Sequence, residues 1–114
     1  MTVYADNAAT TRMSRTALDA MLPAMEENYG NPSSLHSVGQ RAAELLMKSR
    51  ETVARCLNCQ PREIIFTSGG SEADNQALLS AAAIGRRKGK MHIISTAFEH
   101  HAILHTLKKL EKEG

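Results

Sequence analysis

What most narrows the folds open to this chain is an alternation in its second half. The stretches Glu63 to Thr67 and His92 to Thr96 each hold a short, continuous apolar run and read as strands. Each is followed by a helical pattern. Ser71 to about Arg87 is Ala-rich, and about His100 to Lys112 puts Ile103, Leu104, Leu107 and Leu110 on one face. Strand, helix, strand, helix is an α/β signature. The strand cores are unbroken rather than alternating, as in a parallel sheet covered on both faces. Two strands alone make a marginal sheet in water, so the pattern predicts the opening part of a larger α/β domain with a mostly parallel sheet.

Upstream, Ser14 is placed to cap a helix running to about Asn28, with Leu18, Met21, Leu22 and Met25 on one face. Pro23 inside it predicts a kink or an early end. Residues 29–34 are a loop by their turn chemistry. Ser37 to Leu57 is the clearest helix, with Ala42, Leu45, Leu46, Val53, Cys56 and Leu57 at helical spacing and Pro61 beyond its end. A chain of 114 residues has room for one modest domain that buries roughly two-thirds of its unfolded surface. Its 42% hydrophobic and 23% charged content is that of a soluble globular protein. A net charge of +2, with acids and bases interspersed, argues against a nucleic-acid partner, which would need a clustered basic face. The Arg86-Arg87-Lys88 run reads as a solvated helix end. No apolar run approaches the ~20 residues of a bilayer span, so no membrane partner is expected. Two cysteines are not a disulfide scaffold, and the expectation is a cytoplasmic protein with reduced thiols.

Thr67-Ser68-Gly69-Gly70-Ser71, where the first strand empties into a helix, has two readings. The first is an anion site: N–H groups of the first helical turn point outward, the helix dipole adds positive potential, and Ser68 and Ser71 add hydroxyls. Gly69 and Gly70 would then allow close backbone approach and φ above zero. The second is a plain strand-to-helix connection with Ser71 as N-cap and Asp74 three residues on. The spacing of a nucleotide P-loop and of a dinucleotide G-x-G-x-x-G is absent, and Gly85 to Lys90 resembles neither.

Five stretches, in order along the chain, carry a resemblance. YADNAATT (Tyr4 to Thr11), GNPSSLH (Gly30 to His36), EIIFTS (Glu63 to Ser68), TSGGSEADN (from Thr67) and FEHHA (Phe98 to Ala102) together resemble cysteine desulfurases. These belong to the class V aminotransferase branch of pyridoxal phosphate (PLP) enzymes of fold-type I. Ala5 stands where a larger apolar residue is common, and Gly70-Ser71 where Ala and Thr are common. The resemblance implies that Gly70 and Ser71 contact the PLP phosphate. It also implies that His100 stacks on the cofactor ring and takes part in proton transfer; an imidazole is flat and exchanges protons near neutral pH. The Asp6 to Thr11 segment and the Asn31 to Ser34 loop are expected near the active-site mouth or dimer contact. About residues 1–36 would be an N-terminal arm with the first helix, and about residues 37–114 the start of the cofactor domain.

The implied reaction removes sulfur from L-cysteine, leaving L-alanine and an enzyme persulfide that supplies a sulfur acceptor such as an iron–sulfur scaffold protein. The family's Ser-x-His-Lys stretch with the Schiff-base lysine does not occur here, nor do its pyridine-pairing aspartate and nucleophilic cysteine. The chain alone is therefore expected to be inactive, with the remainder of the enzyme, from the same or a separate polypeptide, completing a homodimer. A non-catalytic module derived from such a domain, and a relative such as a selenocysteine lyase, stay open as alternatives.

Two other constellations are weighed. Cys56-Leu57-Asn58-Cys59 is a C-x-x-C, but it lacks a second pair, and Cys56 falls on the apolar helix face, where thiols are ordinary small hydrophobes. His101 and His105, one helical turn apart, lack a third metal ligand and read as solvent-facing. His92, at a strand start, reads as structural.

Overall fold

A computed structural model describes residues 2–114. The chain divides into two compact units, Met1–Ile64 and Ile65–Gly114, and all regular structure among the described residues is helical.

In the first unit, Tyr4 Oη lies 2.6 Å from Thr10 Oγ1 across a turn in which the Ala9 and Thr10 N–H groups donate to the Asp6 carbonyl. Helix α1, Arg15–Glu26, starts as expected, with the Ser14 hydroxyl accepting the Ala17 N–H at 3.1 Å. It runs three residues past Pro23 and stops two short of Asn28, where the Glu27 and Asn28 N–H groups both turn back to the Pro23 carbonyl. The loop before α2, Ser37–Leu57, is shaped by Asn31, whose side-chain and main-chain oxygens accept from Ser33 and Ser34. Gly39 is buried because the loop lies directly on it: a Cβ there would come within 2.4 Å of the Ser34 carbonyl oxygen. The cap of α2 is His36, whose Nδ1 accepts from Gly39 at 3.3 Å. At the other end Asn58 adopts the left-handed conformation (φ 53°), and the Asn58 and Cys59 N–H groups return to the Arg55 and Ala54 carbonyls. That is a Schellman closure, so the C-x-x-C spans a helix cap. Cys56, expected on the buried face, is exposed, and both thiols are free.

The strand expected from Glu63 to Thr67 is not formed. Glu63 instead ends a 3₁₀ turn, Pro61–Glu63, whose Gln60 N–H donates to the Glu63 carboxylate at 2.6 Å. The turn packs on α2, and the Arg50 guanidinium donates to the Ile64 carbonyl. Ile65 to Thr67 and His92 to Thr96 pair with nothing in a ladder. The mostly parallel sheet is thus absent among the described residues, because a strand exists only as a ladder with a second strand and no such ladder forms here.

The second unit is a helix pair, α3 (Gly70–Arg87) packed on α4 (His101–Glu113). Gly89, at φ +66°, closes α3 in the same way as Asn58 closes α2, with the Gly89 and Lys90 N–H groups on the Arg86 and Gly85 carbonyls. The basic run is therefore the exposed last turn of a helix, where its charge suits the dipole.

Burial is far below the expected two-thirds of unfolded surface. The accessible surface is 9748 Å², whereas a folded globule of this mass exposes about 6,100 Å². Among the described residues only Ala42 and Ala54 are buried hydrophobics, while Ile65, Phe66, Ile94 and Phe98 are exposed. The helix faces cover small residues, and several large apolar residues of the non-helical runs, Ile94 and Phe98 above all, stay largely exposed. No helix among the described residues is long and apolar enough to cross a membrane.

Candidate functional site

The small-residue turn resolves into an open helix start. Gly69, not Ser71, is the N-cap of α3; it offers no side-chain cap, and the first intrahelical bond runs from Ala73 N–H to its carbonyl at 3.1 Å. The Gly70, Ser71 and Glu72 N–H groups precede that bond and are the helix's outward donors. Ser71 is the second helical residue and is exposed. Asp74 plays no capping part. Neither glycine uses a positive φ: Gly69 is extended at φ 170°, and Gly70 is helical. What they contribute is space, since a Cβ on either would meet nothing within 4 Å.

The turn is braced from within. Ser68 donates to the Glu72 carboxylate twice, from N–H at 2.7 Å and from Oγ at 2.6 Å, and the Thr67 hydroxyl donates to the Gly69 carbonyl at 3.1 Å. The Ser68 hydroxyl and then its N–H hold the Glu72 carboxyl below its usual range. Ser68, expected as an anion donor, is thus committed to Glu72, while the Ser71 hydroxyl and the three helix-start N–H groups face outward.

His100 lies at the start of the neighbouring helix. It is the N-cap of α4, not its first residue: Nδ1 accepts the Ala102 N–H at 3.1 Å, and its carbonyl receives the Ile103 and Leu104 N–H groups. With Nδ1 an acceptor, the neutral ring carries its hydrogen on Nε2. The ring is exposed. His101 and His105, also exposed, stand edge to face at 5.5 Å.

The two starts share one end of the pair. Asn75 and Thr106, each five residues beyond the first residue of its helix, are hydrogen-bonded to each other. Farther along, Gly85 and Leu110 border one cleft. The helices therefore run side by side in the same direction, and their positive ends open together. Gly70, Ser71 and His100 all lie at that end.

A donor set of three backbone N–H groups and a hydroxyl, over open space at a helix N-terminus, fits a phosphate group. The sequence missed three features. Histidine is outside the usual N-cap set, so His36 and His100 gave no cap signal, and Ser68–Glu72 was hidden by the more familiar Ser71. The Asn75–Thr106 bond left one trace: Thr106, three residues after Ile103 and four before Leu110, interrupts the apolar face of α4.

Residues 3–114 match the family model described as aminotransferase class-V. Over 112 residues the chain is 52% identical to a cysteine desulfurase IscS of Clostridium botulinum and 46% identical to one of Methanosarcina thermophila. Each alignment covers 98% of this chain but only 28% of the relative. A solved NifS-like protein superposes with a TM-score of 0.89 at 40% identity, covering all of this chain and 31% of that one. The chain thus spans under a third of the length of these relatives.

Proposed function

The chain belongs to the aminotransferase class-V family, and from that premise we propose that it is the N-terminal part of a PLP-dependent cysteine desulfurase. The observation that carries the reading is the open first turn of α3, with its outward N–H groups and no side chain over Gly69 and Gly70. The cysteine desulfurase IscS relatives support the substrate class.

In this reading Gly70, Ser71 and Glu72 N–H groups, with the Ser71 hydroxyl, hold the cofactor phosphate, each charged hydrogen bond contributing about 1.5–3 kcal/mol. When bound, PLP supplies an electron sink for the electron pair at the substrate Cα. His100 presents a flat ring at the same end. Its Nδ1 is occupied by the Ala102 N–H, so Nε2 is the atom free to give or take a proton. The bond to α4 also fixes the ring's plane, which suits stacking on the cofactor.

The Schiff-base lysine, the aspartate pairing with the pyridine nitrogen and the nucleophilic thiol come from the part of the family's length that this chain does not span. That part also supplies the strands on which residues 65–67 and 92–96 complete a mostly parallel sheet, covering Ile65, Phe66 and Ile94. About residues 1–36 form the arm and first helix, and about 37–114 open the cofactor domain. The complete enzyme is a cytoplasmic homodimer that moves the sulfur of L-cysteine to its own thiol, releases L-alanine and delivers the persulfide sulfur to an acceptor protein, such as an iron–sulfur scaffold.

The test is a titration of the complete enzyme with PLP followed by visible absorbance, then an assay for L-alanine from L-cysteine. Coloured complex and L-alanine are expected. A complete enzyme that binds no PLP, or binds it and forms no L-alanine, overturns the reading.

A further inference from the structure

We propose that Asn75 and Thr106 are positioning residues that lock the open turn of α3 to the His100 cap of α4. As a statement about PLP this rests on the desulfurase reading; as a statement about the two helices it stands alone.

The hydrogen bonds are continuous from one site to the other. Asn75 Nδ2 donates to the Ser71 carbonyl at 2.7 Å, which orients the amide so that its oxygen faces α4. Thr106 Oγ1 lies 2.6 Å from that oxygen and 2.9 Å from the Ala102 carbonyl, sharing its proton between them. Ala102 N–H in turn donates to His100 Nδ1. The path thus runs from the second residue of the phosphate turn to the imidazole through two side chains. Thr106 is 4% exposed, the one buried polar residue among those described.

Packing alone would not require this pair. The α3–α4 interface is otherwise Ala- and Leu-rich, and a valine would fill the place of Thr106. Apolar helix faces slide with little penalty, whereas a buried hydroxyl meeting a pre-oriented amide is satisfied in one register only and is costly in any other. The register it selects places Nε2 of His100 relative to the donors at Gly70, Ser71 and Glu72. Catalysis is sensitive to misplacement on the order of 1 Å, so the Asn75–Thr106 bond sets a distance on which the reaction depends, without either residue touching substrate.

The test uses the complete enzyme with Thr106→Val, Asn75→Leu, the double variant and Thr106→Ser. Hydrogen exchange is read first without cofactor, at the first hydrogen-bonded amides of each helix, Ala73 and Asp74 in α3 and Ala102 to Leu104 in α4. Each single variant is expected to speed exchange about five- to tenfold at both helix starts, as for one lost buried hydrogen bond. The double variant should do no more than either single one, and Thr106→Ser should restore the wild-type rates. The PLP dissociation constant should then rise about tenfold in Thr106→Val and recover in Thr106→Ser. Exchange altered only in the substituted helix, or additive in the double variant, overturns the lock. A lowered melting temperature with unchanged PLP affinity reduces the pair to a packing role and overturns its positioning role. A wild-type enzyme that binds no PLP overturns the desulfurase reading instead, and the exchange arm still decides the lock.

Discussion

Helices α2 and α3 begin with the same set of unsatisfied backbone donors and deal with them in opposite ways. At α2 the chain closes the end on itself: His36 takes the Gly39 N–H, and the Asn31–Ser34 loop lies so close that Gly39 has no space for a side chain. At α3 a glycine cap takes nothing, Ser68 and Glu72 brace the turn from behind, and the space over Gly69 and Gly70 is open. A helix start is an anion site only when the chain leaves its donors unused and uncovered. Two glycines near a helix start therefore do not mean the same thing. Gly39 makes room for the protein, Gly70 for something else.

The largest effect separates the two histidine caps from each other. In the complete enzyme, His100→Asn keeps an N-cap acceptor but removes the imidazole. Desulfuration should fall about 10²–10⁴-fold, the range of general acid–base catalysis, with stability nearly unchanged. His100→Ala should lose the same activity and a further ~1 kcal/mol of stability from the cap. A wild-type rate in either variant would remove His100 from the mechanism and make it the equal of His36.

Next in size is the open turn itself. Ser71→Ala combined with Gly70→Val should raise the PLP dissociation constant roughly 10–100-fold, through one lost charged hydrogen bond and a blocked approach. Unchanged affinity would sink the phosphate assignment. The glycines then give a direct contrast in denaturant unfolding. Gly39→Ala should cost about 1–3 kcal/mol by overpacking against the Ser34 and Asn31 carbonyls, whereas Gly70→Ala should be neutral or stabilise by up to ~1 kcal/mol. Equal losses at the two sites would erase the distinction between a closed and an open start.

The smallest effect is a pH dependence. Glu72 ionises more readily in the folded turn than in the unfolded chain, because the Ser68 hydroxyl and N–H donate to its carboxylate. Its contribution is therefore present above the ordinary glutamate range, about pH 4.3, and is lost as pH falls through the lowered folded value. Glu72→Gln should flatten the acid limb of the stability curve slightly. An unchanged acid limb would mean that the brace behind α3 does not depend on charge.

How much of this was legible in the residues differs by element. The four helices were readable because their apolar spacing is local and survives any surroundings, and their limits fell within a few residues. The strands were not realised, for a reason equally physical. Ile64-Ile65-Phe66 and Ile93-Ile94 announce burial, but a strand is a relation between two segments, and the partner residues are not in these units. Pro61 and the Gln60–Glu63 bond then decide the local outcome at Glu63. At the site, Gly70, Ser71 and His100 were picked out from the resemblance, whereas the identity of the cap at Gly69 was not. Ser71 satisfies the rule for an N-cap, but Glu72 reaching back to Ser68 moves the helix start by two residues. The Asn75–Thr106 bond joins positions 31 residues apart, beyond the reach of any local pattern.

The bare run from Met91 to Thr96 also has a practical side. Met-His-Ile-Ile-Ser-Thr carries no proline and no fixed charge, its backbone is in no strand ladder, and Ile94 is 87% exposed. A hexapeptide of this kind is a template for intermolecular cross-β stacking. Produced by itself, this polypeptide should be troublesome at the bench, losing yield to inclusion bodies and showing a concentration-dependent lag before turbidity. Ile94→Lys should act as a gatekeeper and lengthen that lag.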